Sequence, residues 1–361
     1  MCIVLVTTAH PSYALVVIDN RDEFILRPTS RPHWWLAPSV FHSGQEILSS
    51  RDLQRAEQGT WLGVTKAGNF AVLTNYRETD INDKEHPVEG TRSRGGMVTA
   101  WLTARKDEGT KEFVHRLLEN DGVKGVGGFS LLAGKLCKRK NGEVEPLAII
   151  SNRCGSADEV PWIAERRGEV YGLSNTAYND PEVWPKVEIG KRKLLEVAER
   201  AAKEEQSEEE FVKGLFEVLD HDTLPSPDGR GFEEYISELK NSIFIPSIGT
   251  ADPVLQMAKA DAMASAKPDQ VESDAIKKLE EAETPAPELP HVMSGQYGTQ
   301  RQTIVLVDWE GKVTYIERAR YDGDGKPIPK GKGDIRFEFE VEGWNGEEKA
   351  KQYGNLPASH I

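Results

Sequence analysis

Two short apolar runs separated by a turn open the chain. The first runs from Ile3 to Val6 and the second from Ala14 to Ile18, with Pro11 in the segment between them. Continuous apolar runs of this length, bounded by turn residues, are typical of buried β-strands. The polar sequence Asp19 to Glu23 follows the second run at once. We therefore expect a hairpin whose second strand ends in this polar run, with residues 21 and 22 returned beside residue 2.

Strand patterns recur further along the chain. They cover residues 59–65, 70–74, 127–133, 147–152, 169–174, 304–307, 313–316 and 335–342. The first two flank residues 66–69, a turn sequence typical of a β-hairpin, and the last alternates apolar and charged residues as a half-exposed strand does. Two of these strands lead directly into an asparagine, Asn75 and Asn175. Polar side chains are thus expected at two strand ends.

Amphipathic helical patterns occupy the middle of the chain. Helices are predicted on either side of residues 107–109, over Lys191 to Lys203, and after Ser207, which forms a capping-box sequence with Glu210. The order of hairpins, then helices, then hairpins predicts an α+β fold with mostly antiparallel sheets and helices outside them. One domain over residues 1–361 accounts for this pattern.

The composition changes sharply between Ala251 and Pro290. This segment is rich in Ala, Glu, Lys and Pro and contains no aromatic residue. Such a sequence buries too little apolar surface to offset its ordering entropy, so we expect a mobile insertion and not a second domain. It is either an inert insertion or a docking segment for a membrane-associated partner, and the inert insertion is favoured.

Charge and hydropathy exclude several classes of protein. The net charge of −14 argues against a non-specific nucleic-acid binder and leaves no polybasic membrane anchor. No apolar run approaches the roughly 20 residues of a membrane span, and no secretory signal opens the chain. Three cysteines suit a reducing compartment. We expect a cytoplasmic protein without a transmembrane segment.

Cys2 is the main candidate for chemistry. Removal of Met1 would leave a thiol and a free α-amine on one residue, and an α-amine with a pKa near 8 can take the thiol proton. Arg21 would favour the thiolate and Asp22 would orient the terminal ammonium. The alternative is that Cys2 is a small buried hydrophobic residue and the polar run a surface loop. Residue types alone favour that alternative.

No metal site is predicted. Asp322-Gly323-Asp324-Gly325 resembles the start of a calcium loop, but Lys326 takes the third ligand position and Gly333 stands where a closing glutamate is required. Cys137 and Cys154 are too isolated to define a zinc site.

A set of short motifs along the chain resembles the NRDE family, the family of the transport and Golgi organization protein 2. They are Met1-Cys2-Ile3, Asn20-Arg21-Asp22-Glu23-Phe24 with Arg27-Pro28, Glu46-Ile47-Leu48-Ser49, Gly59-Thr60-Trp61-Leu62-Gly63, Leu73-Thr74-Asn75-Tyr76, Ser93-Arg94-Gly95, Tyr171-Gly172-Leu173-Ser174-Asn175, Tyr297-Gly298-Thr299 and Thr303-Ile304-Val305-Leu306-Val307-Asp308. The motifs cover most of the chain in family order. The resemblance raises the functional interpretation of Cys2 above the alternative.

The resemblance implies a fold like that of the N-terminal-nucleophile (Ntn) hydrolases, an αββα sandwich with two antiparallel sheets between helix layers. It is more distantly similar to the penicillin and bile-salt amidases with that fold. By that analogy Cys2 is the nucleophile and its amine the base. Arg21 and Asp22 support this pair, while Asn75 and Asn175 stabilise the oxyanion.

One departure from the family pattern concerns Arg301. The family often places Arg directly after Tyr-Gly-Thr, whereas Gln300 holds that position here. A displacement by one residue in a strand turns a side chain to the opposite face. We therefore expect Arg301 to lie outside the site.

Two classes of function follow from the resemblance. The first is a role in Golgi organisation, protein secretion and lipid homeostasis, with haem or acyl-CoA carried as cargo and no cofactor required. Peripheral association with Golgi or mitochondrial membranes would fit that role. The second is an Ntn-type cysteine hydrolase acting through Cys2 on a non-peptide amide or an acyl thioester. The family association and the displaced arginine place carriage slightly ahead.

Overall fold

The computed structural model describes residues 1–37, 44–77, 92–119, 122–226, 235–249 and 295–345. The insertion expected between residues 251 and 290 lies outside the described residues. The described strands are β1 (Ile3–Thr7), β2 (Tyr13–Phe24), β3 (His33–Leu36), β4 (Glu46–Ser49), β5 (Leu62–Thr65), β6 (Asn69–Asn75), β7 (Phe129–Lys135), β8 (Leu147–Ser151), β9 (Trp162–Ile163), β10 (Val170–Leu173), β11 (Tyr297–Asp308), β12 (Lys312–Ala319) and β13 (Asp334–Glu340). The described α-helices are α1 (Gly95–Leu102), α2 (Thr110–Glu119), α3 (Pro185–Lys203) and α4 (Glu208–Leu219).

Two antiparallel sheets form the centre of the fold. The first sheet has the strand order β10-β1-β2-β11-β12-β13, and the second runs in chain order from β3 to β9. In the first sheet β1 lies between β10 and β2, because Val4 pairs with Leu173 on one side and with Asp19 on the other. The start of the chain is therefore held between two neighbours.

Helices cover the outer face of each sheet. Helices α3 and α4 pack on the first sheet, where Ile3, Leu5, Val16 and Ile18 meet the apolar faces of both helices. Helices α1 and α2 pack on the second sheet around Trp101 and Phe113. A third apolar cluster lies between the sheets. The expected αββα sandwich is confirmed.

Successive side chains of β1 point alternately to the two faces of the first sheet. Ile3 and Leu5 face helices α3 and α4, whereas Val4 and Val6 face the second sheet. Successive strand residues point to opposite faces, so the rest of the first sheet obeys the same rule. The functional side chains of β2 and β11 divide between the two faces in the same way.

Two sequence predictions need correction and one is confirmed. Residues 19–23 are not a loop, because β2 continues to Phe24 and pairs with β11. Helix α3 begins at Pro185 and not at residue 191, since proline suits the first turn of a helix. The predicted capping box is present: the Ser207 hydroxyl accepts from the backbone N–H of Glu210, and the carboxylate of Glu210 accepts from the backbone N–H of Ser207.

None of the helices in the described part of the chain has the length and hydropathy of a membrane span.

Candidate active site

Cys2 immediately precedes β1 and is nearly enclosed. The residue is 9% exposed, and its Sγ donates a hydrogen bond to the backbone oxygen of Asp22 at 3.7 Å. Burial raises the pKa of the Cys2 thiol to about 11, although the nearby positive charge of the chain terminus opposes that shift. With Met1 in place, Cys2 is therefore a thiol at neutral pH.

The terminal amine lies in the same cluster, on Met1. It donates to the hydroxyl of Tyr297 and lies 3.2 Å from Oδ2 of Asp22. Burial lowers the pKa of this amine, while the carboxylate of Asp22 acts in the opposite direction. The fold thus binds the Met1 ammonium group next to the thiol. The expected role of Asp22 toward an amine on Cys2 stays a prediction.

Asp22 is held by residues of β11. Its Oδ1 accepts a hydrogen bond from the hydroxyl of Thr299 at 2.6 Å, and its backbone oxygen accepts one from the hydroxyl of Tyr297 at 3.1 Å. Both partners belong to the Tyr-Gly-Thr motif, whose individual roles the sequence alone did not indicate. The motif fixes the carboxylate that binds the amine.

Arg21 points into the space between the sheets. Its guanidinium group stacks over the ring of Trp61, 4.3 Å from the ring centroid, and donates to Oε1 of Gln300. Trp61 directly precedes β5 of the second sheet, so Arg21 links the two sheets beside the start of β1. Its cation is therefore held by an aromatic face and an amide.

The reversal of face that led us to expect Arg301 outside the site does not occur. The pairing of β2 with β11 shifts register between Thr299 and Arg301, so Gln300 is an extra residue and Arg301 lies opposite Arg21. A bulge of this kind sets two residues against one and restores the alternation that a single displacement would break. Arg301 consequently shares the inter-sheet face with Arg21.

Arg301 is nevertheless occupied by other partners. Its Nε lies 3.7 Å from Oε1 of Glu317, and its guanidinium donates to Oγ1 of Thr29 at 3.0 Å and to the backbone oxygen of Tyr321 at 3.2 Å. Burial lowers the pKa of Arg301 to about 10. The second oxygen of Glu317 accepts from the hydroxyl of Ser50 at 2.6 Å, which places this ion pair between the sheets.

Asn75 and Asn175 meet where the two sheets come together. The side-chain amide of Asn175 donates to the backbone oxygen of Asn75 at 2.6 Å. Asn175 is buried, whereas Asn75, at the end of β6, is partly exposed. One amide hydrogen of Asn175 is thus engaged by the protein. The oxyanion role of both residues stays a prediction.

Lys186 is a buried residue that the sequence analysis missed. Its side chain is 0% exposed, and Nζ donates to the backbone oxygen of Met1 at 2.5 Å. Burial lowers the pKa of Lys186, and the neighbouring Asp22 and Cys2 oppose that shift. A signal was available: Lys186 stands in the first turn of α3, where the helix dipole disfavours a cation.

The site as a whole combines a thiol, a terminal amine, a carboxylate and an ammonium group at one end of β1. Ser174 completes it by donating to the backbone oxygen of Cys2 at 2.7 Å, which fixes the orientation of that residue. Of the predicted site residues, Cys2 and Asp22 are in contact with each other, and Asn75 is in contact with Asn175. Arg21 lies on the opposite face of β2 from Asp22. Within the described ranges, no group of three or more His, Cys, Asp or Glu residues could hold a metal ion.

Comparison with known proteins identifies relatives over nearly the whole chain. A family model described as "Transport and Golgi organisation 2" matches residues 1–322. An uncharacterised protein of Saccharomyces cerevisiae is 26% identical, with 94% of this chain and 100% of that protein covered. The Transport and Golgi organization protein 2 homologs of Bos taurus and Homo sapiens are each 28% identical, over 87% of this chain and 89% of theirs.

Solved structures offer weaker likenesses. A conjugated bile acid hydrolase from Clostridium perfringens aligns over 100% of both chains with a TM-score of 0.37 and 9% identity. A penicillin V acylase from Agrobacterium tumefaciens aligns over 94% of this chain and 86% of its own with a TM-score of 0.34 and 13% identity. Scores this low add no argument about the site.

Proposed function

The chain belongs to the Transport and Golgi organisation 2 family, and from its site geometry we propose that it is a cysteine hydrolase of an acyl amide or acyl thioester. The observation that supports this best is the pairing of the Cys2 thiol with a built ammonium site formed by Asp22 and Tyr297. A small buried cysteine packed for structural reasons has no need of such a site.

The mechanism begins when Met1 is absent and Cys2 carries the terminal amine. The neutral amine takes the thiol proton, the thiolate attacks the substrate carbonyl, and Asp22 holds the resulting ammonium. The amine then protonates the leaving group, and an acyl thioester remains on Cys2. Water hydrolyses that thioester and restores the thiol. Asn75 and the remaining amide hydrogen of Asn175 would stabilise the oxyanion in both steps.

Carriage of haem or acyl-CoA, which the family resemblance implies, is the alternative for a chain that keeps Met1. A chain that keeps Met1 lacks the free Cys2 amine that the hydrolase mechanism needs as its base. Such a chain would act as a carrier in Golgi organisation, secretion or lipid homeostasis, in the cytoplasm or at Golgi or mitochondrial membranes. Haem or acyl-CoA is then cargo.

One experiment separates the two functions. Protein freed of Met1 is incubated with acyl-CoA and N-acyl amide substrates, and peptides containing Cys2 are examined by mass spectrometry for an acyl adduct. We expect an adduct and turnover, with turnover reduced at least about 10³-fold by Cys2→Ala. Cys154→Ala, which removes a partly buried cysteine elsewhere, is the matched control and should change neither.

Other outcomes would support carriage. Saturable binding of haem or acyl-CoA that is unaffected by Cys2→Ala, without any adduct on Cys2, would reject the hydrolase. A carrier relies on an apolar pocket with a few polar anchors and not on a thiolate, so it should tolerate loss of the thiol.

A further inference from the structure

Lys186 is a buried cation that the hydrolase mechanism above does not use. It is 0% exposed, and its Nζ lies 2.5 Å from the carbonyl oxygen of Met1. That oxygen belongs to the peptide bond between Met1 and Cys2, which must break before Cys2 can carry the terminal amine. Lys186 therefore contacts the bond whose removal the proposed function requires.

A neutral carbonyl is a poor partner for a buried ammonium group. The ammonium of Lys186 loses its hydration on burial and gains only a dipole in return, while Asp22 lies near enough to supply part of the missing charge. An oxyanion at the same position would complement the ammonium much better. A group that binds the transition state more strongly than the ground state is the kind that accelerates a reaction.

The attacking atom would come from Cys2 itself. Sγ of Cys2 and the carbonyl carbon of Met1 can close a five-membered ring through the Cys2 backbone. The neighbouring groups are fixed on both sides: Asp22 and Tyr297 bind the Met1 amine, and Ser174 binds the carbonyl oxygen of Cys2. The peptide bond is thus held by its neighbours while Lys186 faces its oxygen.

We propose that Lys186 is a catalytic residue for self-removal of Met1, and this proposal rests on the proposed function. The ammonium group of Lys186 stabilises the oxyanion formed on the Met1 carbonyl. Sγ attacks the carbonyl carbon, and the carbon–nitrogen bond to Cys2 breaks. The thiol proton passes to the departing Cys2 nitrogen, which becomes the free amine. Met1 is left as a thioester on Sγ, and water hydrolyses it to free methionine and the Cys2 thiol.

The burial of the terminus gives independent support. An aminopeptidase must bind the terminal amine of its substrate, and in the folded chain this amine is already bound by Asp22 and Tyr297. Removal after folding is therefore better served by groups inside the protein than by an external enzyme.

The test follows Met1 directly. The full chain is translated in a reconstituted system without methionine aminopeptidase, and intact mass is recorded over time near neutral pH. We expect the unmodified chain to lose one methionine, Cys2→Ala to keep it, and Lys186→Met to lose it about 10²–10³-fold more slowly. Lys203→Met replaces an exposed lysine of the same helix and should behave like the unmodified chain.

A second variant covers the case in which Lys186→Met does not fold. Lys186→Arg keeps the charge with a bulkier group, so we expect it to fold and to process more slowly than Lys203→Arg. Hydroxylamine, which cleaves thioesters, should release Met1 faster from the unmodified chain but not from Cys2→Ala.

The proposal is overturned if Lys186→Met or Lys186→Arg processes at the rate of its Lys203 control. It is equally overturned if Cys2→Ala loses Met1, or if the unmodified chain keeps it. The acyl-adduct experiment on Met1-free protein is a separate measurement. Absence of an adduct together with Lys186-dependent processing would reject the hydrolase and leave the role of Lys186 standing.

Discussion

Strand β2 is buried along most of its length, yet its two halves consist of opposite kinds of residue. The first half, from Ala14 to Ile18, is apolar, and the second, from Asp19 to Asp22, is polar and charged. Apolar burial stabilises a fold by about 25 cal/mol per Å², whereas buried charges stabilise it only when they are well paired. The first half therefore contributes stability and the second half contributes chemistry.

The charged half is not fully compensated. Oδ2 of Asp19 is buried and accepts no hydrogen bond from the described residues, and burial, together with Asp22, raises the pKa of Asp19 well above its usual range. Glu317, two strands away in the same row, also has a raised pKa because of burial. Buried ionisable groups with shifted pKa values are typical of functional sites. In a strand with a purely structural role they would only lower the stability of the fold.

The largest expected effect concerns thiol reactivity in the charged half. With Met1 present and a thiol pKa of about 11, iodoacetamide should alkylate Cys2 at pH 8 about a hundredfold or more slowly in the folded chain than in urea. The rate in the folded chain should rise about tenfold per pH unit without levelling below pH 10. Mass spectrometry of the Cys2 peptide measures both. Equal rates in folded and unfolded protein would contradict the burial of the thiol.

Removal of Asp22 should cause the next largest effect. Asp22→Ala leaves the Met1 amine and Lys186 without their shared carboxylate, and we expect a loss of about 3–5 kcal/mol in the free energy of unfolding. Urea unfolding measures it. Asp324→Ala, in an exposed turn, is the control and should change stability by less than about 0.5 kcal/mol. A neutral result for Asp22→Ala would mean that the two cations do not depend on it.

The apolar half provides the counterpart. Leu15→Ala removes a buried side chain from the inter-sheet core and should cost about 2–5 kcal/mol, without changing the pH dependence of Cys2 alkylation. Leu36→Ala alters a leucine that is 68% exposed and should be nearly neutral. A changed alkylation profile in Leu15→Ala, with the fold intact, would show that the halves are coupled more closely than this comparison allows.

The smallest effect is a change in pH dependence. The pKa of Asp19 is raised in the folded state, so the folded chain binds more protons than the unfolded chain above about pH 4, and stability should fall as pH rises through this range. Asp19→Asn should remove that decline and raise the free energy of unfolding near neutral pH. Urea titrations at pH 5 and pH 8 compare the two proteins. A decline of unchanged slope in Asp19→Asn would assign the effect to Glu317 instead.

The bulge at Gln300 shows where reasoning from sequence stops. Counting residues along β11 correctly identified an extra residue before Arg301, but it predicted a reversal of face because it assumed an unbroken ladder. The strand absorbed the extra residue locally, so Arg301 still lies opposite Arg21. Whether an insertion reverses the faces or forms a bulge depends on the neighbouring strands, since Arg21 and Glu317 supply the partners of Gln300 and Arg301.

Local pattern determined the elements that lie next to each other in the chain. The apolar runs of β1 and β2, the capping box of α4 and the polar ends at Asn75 and Asn175 follow from residue type and spacing, which act over a few residues. The order of these elements also predicted an α+β fold with antiparallel sheets and helices outside them. The αββα arrangement of two sheets was what the family resemblance implied. Contacts between distant segments were not accessible in this way. Lys186 contacts Met1 across 185 positions, and Tyr297 contacts it across 296. Only the packing of α3 and β11 against the start of the chain brings these residues together, so the tertiary structure alone decided which groups surround Cys2.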